Sequence, residues 1–213
     1  MIVKNLRYTA LALAAVAFCS CQKEPSTSDL HGDYLVYTAH DTGTDFSAID
    51  TYFLPDSILL IGGSDRTEYW KDESAQEIIA TVAAAMDNAG YTRTYDKAAA
   101  NVGIQMSYVE QVTYFVGYNN PYWWWYYPYY WTPGYWGDWL GWHYPYGVYY
   151  GYTAGSLLTE MLDLEADQQS GNKLPVILDS FAGGLLTGDS SLNLQRTLDA
   201  VEQAFVQSPY LSK

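Results

Sequence analysis

A stretch of 30 residues, 121–150, consists almost entirely of aromatic residues, proline and glycine. It contains ten Tyr, seven Trp, four Pro and four Gly, and its only formal charge is Asp138. The Pro and Gly recur every few residues, so no strand or helix period continues through it and it cannot form one regular element. Each buried ring contributes up to several kcal/mol, at roughly 25 cal/mol per Å² over 150–250 Å². We therefore expect the segment to collapse onto the domain, onto itself or onto a partner.

Three interpretations of this aromatic insert, which we bound at 117–152, follow from its composition. The first is a low-complexity loop between two strands, packed loosely on the sheet or left mobile, with no ligand. The second is a recognition surface, and the third is a contact with the membrane interface, where Trp and Tyr are enriched. Aromatic rings with a polar edge stack on sugars and dominate protein contacts, and the near absence of charge favours a neutral glycan or an envelope protein. The candidate binding residues are Trp123, Trp124, Trp125, Tyr127, Tyr130, Trp131, Trp136, Trp139 and Trp142.

The N-terminal residues 1–20 have the pattern of a bacterial secretory signal. Lys4 and Arg7 precede an apolar run at 8–18, which is too short to span a bilayer comfortably. Ser20 directly before Cys21 resembles the lipobox of lipoproteins, so we expect cleavage before Cys21 and a lipid on its thiol. The sequence thus predicts a lipid anchor in the outer membrane, with the domain facing the periplasm or the cell surface.

Residues 21–32 are polar and are predicted to be a flexible tether to a single domain at 33–213. Cys19 would leave with the signal and Cys21 would carry lipid, so no thiol would remain for a disulfide or a metal site. The chain has 10 Lys+Arg against 24 Asp+Glu, a net charge of -14. This acidic balance argues against nucleic acid as a partner, because a surface that follows phosphates needs clustered basic residues.

The periodicity of the domain predicts two helices. One covers 74–89, with Ser74 and Glu77 at capping-box spacing and Gly90 after its last turn. The other covers about 191–207 and stops before Pro209. The apolar face of the first helix is expected to comprise Ala75, Ile78, Ile79, Val82, Ala85 and Met86.

Alternating patterns predict five strands, at 34–39, 50–54, 101–112, 156–166 and 174–182. A turn at 170–172 would join the last two as a hairpin. Each helix has one apolar face to bury, and covering one face of a sheet is the simplest solution. We therefore predict an α+β fold of two layers: a mostly antiparallel sheet of about five strands, two helices on one face, and the long aromatic insert.

The sequence contains no recognisable catalytic, phosphate-binding or dinucleotide-binding motif, and we expect no enzyme, no cofactor and no metal. Its histidines are isolated, at His31, His40 and His143, and turn formation accounts for the Asp41 and Asp45 that follow His40.

Four carboxylates close together in sequence raise the alternative of a glycan or peptidoglycan hydrolase, which needs two carboxyl groups at a set separation. Alternation puts Asp163, Glu165 and Asp167 on one strand face and Glu160 on the other. A solvated strand face is the preferred interpretation, and the leading hypothesis is a non-enzymatic envelope lipoprotein with a binding or structural role.

Several short motifs occur in a fixed order along the domain: Asp45-Phe46-Ser47 with Thr51-Tyr52-Phe53, the helix ending at Gly90-Tyr91, Gly155-Ser156-Leu157, and Ser208-Pro209-Tyr210. Taken in this order, they resemble one family of bacterial lipoproteins, domain of unknown function 4136. A Tyr/Trp/Gly-rich middle is also similar to that of many members. The resemblance spans most of 34–211 and implies an α+β envelope lipoprotein, but it carries no assigned activity and no catalytic residue.

Overall fold

Nine strands and two helices form the described part of the protein, which in this computed structural model comprises residues 34–61, 68–110, 133–147, 154–167 and 172–213. The strands are β1 Leu35–His40, β2 Thr51–Phe53, β3 Ile58–Ile61, β4 Glu68–Trp70, β5 Thr92–Thr94, β6 Val102–Val109, β7 Gly141–His143, β8 Ser156–Asp163 and β9 Lys173–Gly183. The helices are α1 Glu73–Asn88 and α2 Ser190–Val206. Within these ranges, no helix is long and apolar enough to cross a membrane.

The strands form one mixed sheet whose central path is β1-β9-β8-β6-β2-β5. Strands β1, β9, β8 and β6 are antiparallel neighbours, whereas the far edge of β6 pairs in parallel with β2 near its start and with β3 near its end. Strand β4 pairs with β3, and β7 pairs in parallel with β9. The α+β class is confirmed, but the prediction of about five mostly antiparallel strands is wrong: the extra strands have only three or four residues, too few to show alternation.

Both helices pack on one face of the sheet, and α1 matches its predicted span to within one residue at each end. Five of its six predicted apolar contacts are buried, while Ala85 is half-exposed and Ala83 is buried instead. Gly90 follows the helix with φ of 99°, as expected for a C-terminal stop. The predicted cap is wrong, since the carboxylate of Asp72, and not Ser74, accepts the Ala75 N–H at 3.0 Å.

We expect Asp72→Ala to lower the free energy of unfolding by about 1 kcal/mol, the usual cost of losing an N-cap side chain. The same Oδ1 also accepts the Trp70 indole N–H at 2.6 Å, so the loss should not be smaller than this. Urea denaturation of Ser74→Ala is the matched control and should show a change of a few tenths of a kcal/mol. A larger loss for Ser74→Ala than for Asp72→Ala would contradict this cap assignment.

The opposite face of the sheet is covered by residues 133–147, which we call the covering segment. Its Trp136, Trp139, Trp142 and Tyr144 join Leu158, Leu162, Leu174, Val176 and Phe181 of β8 and β9 in a second hydrophobic cluster. The apolar faces of both helices pack in a first hydrophobic cluster on the other face of the sheet, whereas the covering segment belongs to the second cluster. The sheet is therefore buried on both faces here, where the predicted architecture had only two layers.

Candidate functional site

Three polar residues form a buried row across the centre of the sheet, beneath the covering segment. Gln105 of β6 lies opposite Glu160 of β8, and Glu160 lies opposite Asp179 of β9. These side chains are 1%, 1% and 0% exposed, respectively. The alternation of the strands points all three toward the face that carries the second hydrophobic cluster.

The covering segment provides hydrogen-bond partners for this buried polar row. The Trp136 indole Nε1 donates to Gln105 Oε1 at 2.9 Å, and Gln105 Nε2 donates to Glu160 Oε2 at 2.9 Å. The Tyr144 hydroxyl donates to the other oxygen of Glu160. Both oxygens of Glu160 are therefore engaged, one by the sheet and one by the covering segment, as buried polar groups require.

Trp136 can approach the sheet this closely because the strand beneath it has a glycine. A Cβ added to Gly103 would lie 2.3 Å from Cζ3 of the indole, well inside any contact distance. The ring therefore rests on bare backbone, two residues along β6 from Gln105. Gly103 and Gln105 together set the position of Trp136.

The electrostatics of the row are dominated by burial. Removal from water raises the pKa of Glu160 to about 7; the hydrogen bonds from Tyr144 and Gln105 oppose this rise, and the neighbouring Asp179 charge adds to it. Burial, followed by the charge of Asp179, also raises the pKa of the Tyr146 hydroxyl well above its ordinary value. Glu160 thus titrates close to neutral pH next to a second carboxylate.

The covering segment is also held at its edges. Strand β7 pairs with the start of β9, with Trp142 opposite Leu174. At the other end, the Lys97 ammonium donates to the carbonyl of Tyr135 and lies 3.8 Å from the centroid of that ring. Burial lowers the pKa of Lys97. A strand pairing and a cationic side chain therefore flank the buried tryptophans.

The nine aromatic residues predicted to bind a partner divide into two groups. Trp136, Trp139 and Trp142 are only 4%, 6% and 4% exposed and are core residues of the second cluster. The other six lie outside the described residues: Trp123, Trp124, Trp125, Tyr127, Tyr130 and Trp131. Cys21 also lies outside them.

Alternation correctly separates Glu160 from the other three carboxylates, but Glu160 is fully buried. The solvated position preferred from sequence holds for Glu165 and Asp167, which are exposed and lie beyond the strand, whereas Asp163 is half-buried and burial raises its pKa. Sequence reasoning also missed Asp179. The signal was present, since Glu160 lies between Leu158 and Leu162 on the same face of β8, and Asp179 interrupts the apolar run of β9.

The turn that follows His40 is held by a ring contact and by hydrogen bonds from backbone N–H groups to side chains. His40 stacks on Tyr210 with ring centroids 3.7 Å apart, while Asp41 accepts the Gly43 N–H and Asp45 accepts the Ser47 N–H. In the described part of the chain, no group of three His, Cys, Asp or Glu could hold a metal ion. His143 is exposed, and His31 lies outside the described residues.

Comparison with known proteins gives a family and a fold. The family described as "Domain of unknown function (DUF4136)" matches residues 36–210. The crystal structure of a DUF4136 family protein from Bacteroides thetaiotaomicron is 46% identical, with 84% of this chain and 98% of that chain covered and a TM-score of 0.76. A PelC dodecamer from Paraburkholderia phytofirmans is 13% identical over the same shares, with a TM-score of 0.36. A search of the curated proteins found no match.

Proposed function

The chain belongs to the DUF4136 family, and from this premise and its own geometry we propose that it is a lipid-anchored envelope protein with a non-enzymatic binding role. The contact surface would be the part of the aromatic insert outside the covering segment, with Trp123, Trp124 and Trp125 at its centre. The lipid on Cys21 would hold the domain at the outer membrane. The partner would be uncharged at the point of contact, either a neutral glycan or an envelope protein.

One observation carries this proposal: the covering segment is built into the fold. Its buried tryptophans and the β7–β9 pairing fix residues 133–147 on the sheet, and 111–132 join β6 to that fixed segment. An aromatic-rich stretch attached at both ends to a rigid sheet loses less freedom on binding than a free tail, which favours recognition. Only Asp138 is charged between 121 and 150, which is consistent with an uncharged partner.

We expect a variant with Trp123→Ala, Trp124→Ala and Trp125→Ala to bind its partner at least about tenfold more weakly, because such rings dominate contact energies. Protein purified from membranes would be used as bait against envelope extract and against immobilised neutral glycans, and mass spectrometry of its N-terminal peptide would report the lipid. Tyr95→Ala, which removes an aromatic ring that is 84% exposed elsewhere, is the control. Equal capture by the triple variant and the parent would refute the proposed surface.

A hydrolase is the second candidate, and the raised pKa of Glu160 next to Asp179 favours it. A general acid that titrates near 7 beside a second carboxylate is the arrangement used by glycosidases. Both carboxyl groups are sealed under Trp136 and Tyr144, however, so a glycosidic bond would need the covering segment to lift. Release of sugar from a polysaccharide panel that Glu160→Gln abolishes would establish this candidate and displace the binding role.

A further inference from the structure

A cleft of about 400 Å³ opens where the sheet meets the first turns of both helices. Its walls come from Trp70 of β4, Tyr108 of β6 and the N-terminal ends of α1 and α2. Glu110, the residue at which the chain leaves β6 toward the aromatic insert, lies at its edge. The cleft is on the helix side of the sheet, away from the buried polar row, and its volume is in the range of small-molecule sites, roughly 300–1,000 Å³.

The aromatic wall of this cleft is held in a fixed orientation. The half-buried Trp70 indole donates its Nε1 to Asp72 Oδ1 at 2.6 Å, and its ring meets Tyr108 edge-to-face with centroids 5.2 Å apart at 62°. Tyr108 is itself only 9% exposed and packs in the helix-side core. A ring fixed at its polar edge and along one side offers a preorganised apolar surface to a ligand.

The polar groups around the ring include both donors and acceptors. Asn193 Oδ1 accepts from the Thr187 N–H and hydroxyl at 2.7 and 2.8 Å, which leaves its Nδ2 to donate to a ligand. The carboxylate of Glu110 makes no side-chain hydrogen bond or ion pair within the described residues, and it can accept. The hydroxyl of Ser190 also lines the cleft. No basic side chain is among its described lining residues, and the carboxylates of Asp72 and Glu110 oppose the attraction that the two helix N-termini would exert on an anionic ligand.

We infer that this cleft binds one unit of a neutral sugar, with a sugar face against Trp70 and its hydroxyls toward Glu110 and Asn193. An aromatic surface surrounded by mixed donors and acceptors matches a polyol, which presents C–H faces and hydroxyls together. An organic ammonium ion would also be attracted by the carboxylates and rings, but it would leave the Asn193 amide donor without an acceptor. The ligand class rests on the proposed function, whereas the residues lie outside the aromatic insert.

The test uses the full lipidated protein in a polyoxyethylene detergent, which carries no sugar. The probes are maltohexaose, cellohexaose, mannohexaose and chitohexaose, each titrated while the indole N–H resonances are followed by NMR. Trp70→Phe identifies the Trp70 resonance by its disappearance. We expect at least one oligosaccharide to shift that resonance, and Trp70→Ala to weaken its binding at least about tenfold.

Glu110→Gln is the second variant, because this exposed side chain can be changed without disturbing the core; it should weaken binding several-fold. Tyr95→Ala should bind like the parent. The inference is overturned if no oligosaccharide shifts the Trp70 resonance, if tetramethylammonium is the only probe that does, or if Trp70→Ala and Glu110→Gln both bind normally.

The same titrations separate this inference from the proposed function. Binding lost in the Trp123, Trp124 and Trp125 triple variant but kept in Trp70→Ala would overturn the cleft and leave the aromatic contact surface standing. The reverse pattern would support the cleft and refute that surface as the site of oligosaccharide binding, while capture of an envelope protein by the parent but not by the triple variant would still support it. If both variants lose oligosaccharide binding, this would support one binding site in which the oligosaccharide contacts the cleft and the aromatic contact surface together.

Discussion

Replacing Trp136 with alanine should lower the free energy of unfolding by about 3–5 kcal/mol, the cost of emptying a buried tryptophan site. The indole is 4% exposed, contacts the bare backbone at Gly103 and donates its N–H to Gln105. Its loss removes apolar contacts and also leaves the buried amide oxygen of Gln105 without its indole donor. Chemical denaturation with far-UV circular dichroism measures the change.

The matched control is Leu140→Ala, a change in the same segment at a side chain that is 77% exposed, and it should cost less than about 0.5 kcal/mol. Gly103→Ala tests the same contact from the sheet side. The added methyl would overlap the indole and should destabilise the protein by about 1–3 kcal/mol.

In the Trp136→Ala background, Gly103→Ala should be neutral or stabilising, because the methyl then fills vacated space and alanine suits a strand interior better than glycine. If the double variant instead loses as much free energy of unfolding as the two single variants added together, the ring and the glycine do not touch.

Raising the pH from about 4.5 to about 7 should cost the protein about 3 kcal/mol of unfolding free energy through Glu160 alone. The unfolded carboxyl releases its proton near 4.5, whereas the folded one holds it to about 7. Over this interval the folded state binds more protons, so rising pH favours unfolding. The contribution of Glu160 to the free energy of unfolding is therefore fully present below pH 4.5 and is lost as the pH rises through about 7.

Glu160→Gln provides the comparison, because the amide resembles the protonated acid and does not titrate. Urea denaturation of both proteins at unit steps from pH 4 to pH 8 should give curves that converge at pH 4 and diverge above it, with the variant more stable at pH 8. Parallel curves would show that Glu160 has an ordinary pKa in the folded protein.

Long regular patterns made part of the fold predictable. The 16 residues of α1 and the 8 of β6 show their period clearly, and both elements lie close to where the sequence puts them. The three-residue strands β5 and β7 have no period to detect, and each forms by pairing with the edge of a strand distant in sequence, β2 and β9 respectively. The prediction of the N-cap of α1 was wrong for a local reason, since Asp72 and Ser74 are both good capping residues and lie two positions apart.

The candidate site was harder to predict because its parts meet only in three dimensions. Glu160 and Asp179 are separated by 18 other residues, and what makes them neighbours is the pairing of β8 with β9. The burial of Trp136 depends on a glycine 33 positions earlier, and nothing in the composition of the aromatic insert distinguishes this tryptophan from Trp123. Composition predicted that the rings of the insert would pack against the domain, one another or a partner, and Trp136, Trp139 and Trp142 do pack on the sheet, but composition could not say which rings the sheet would bury.

Part of the sheet surface beneath the covering segment is built from strands that come later in the chain, β8 and β9. Leu158, Leu162, Leu174, Val176 and Phe181 all follow residue 147 in the sequence. A polypeptide that is made from its amino end therefore presents Trp136, Trp139 and Trp142 before β8 and β9 have been made. During that interval the indoles are available to holdase chaperones or to other nascent copies, and folding competes with aggregation until β9 arrives.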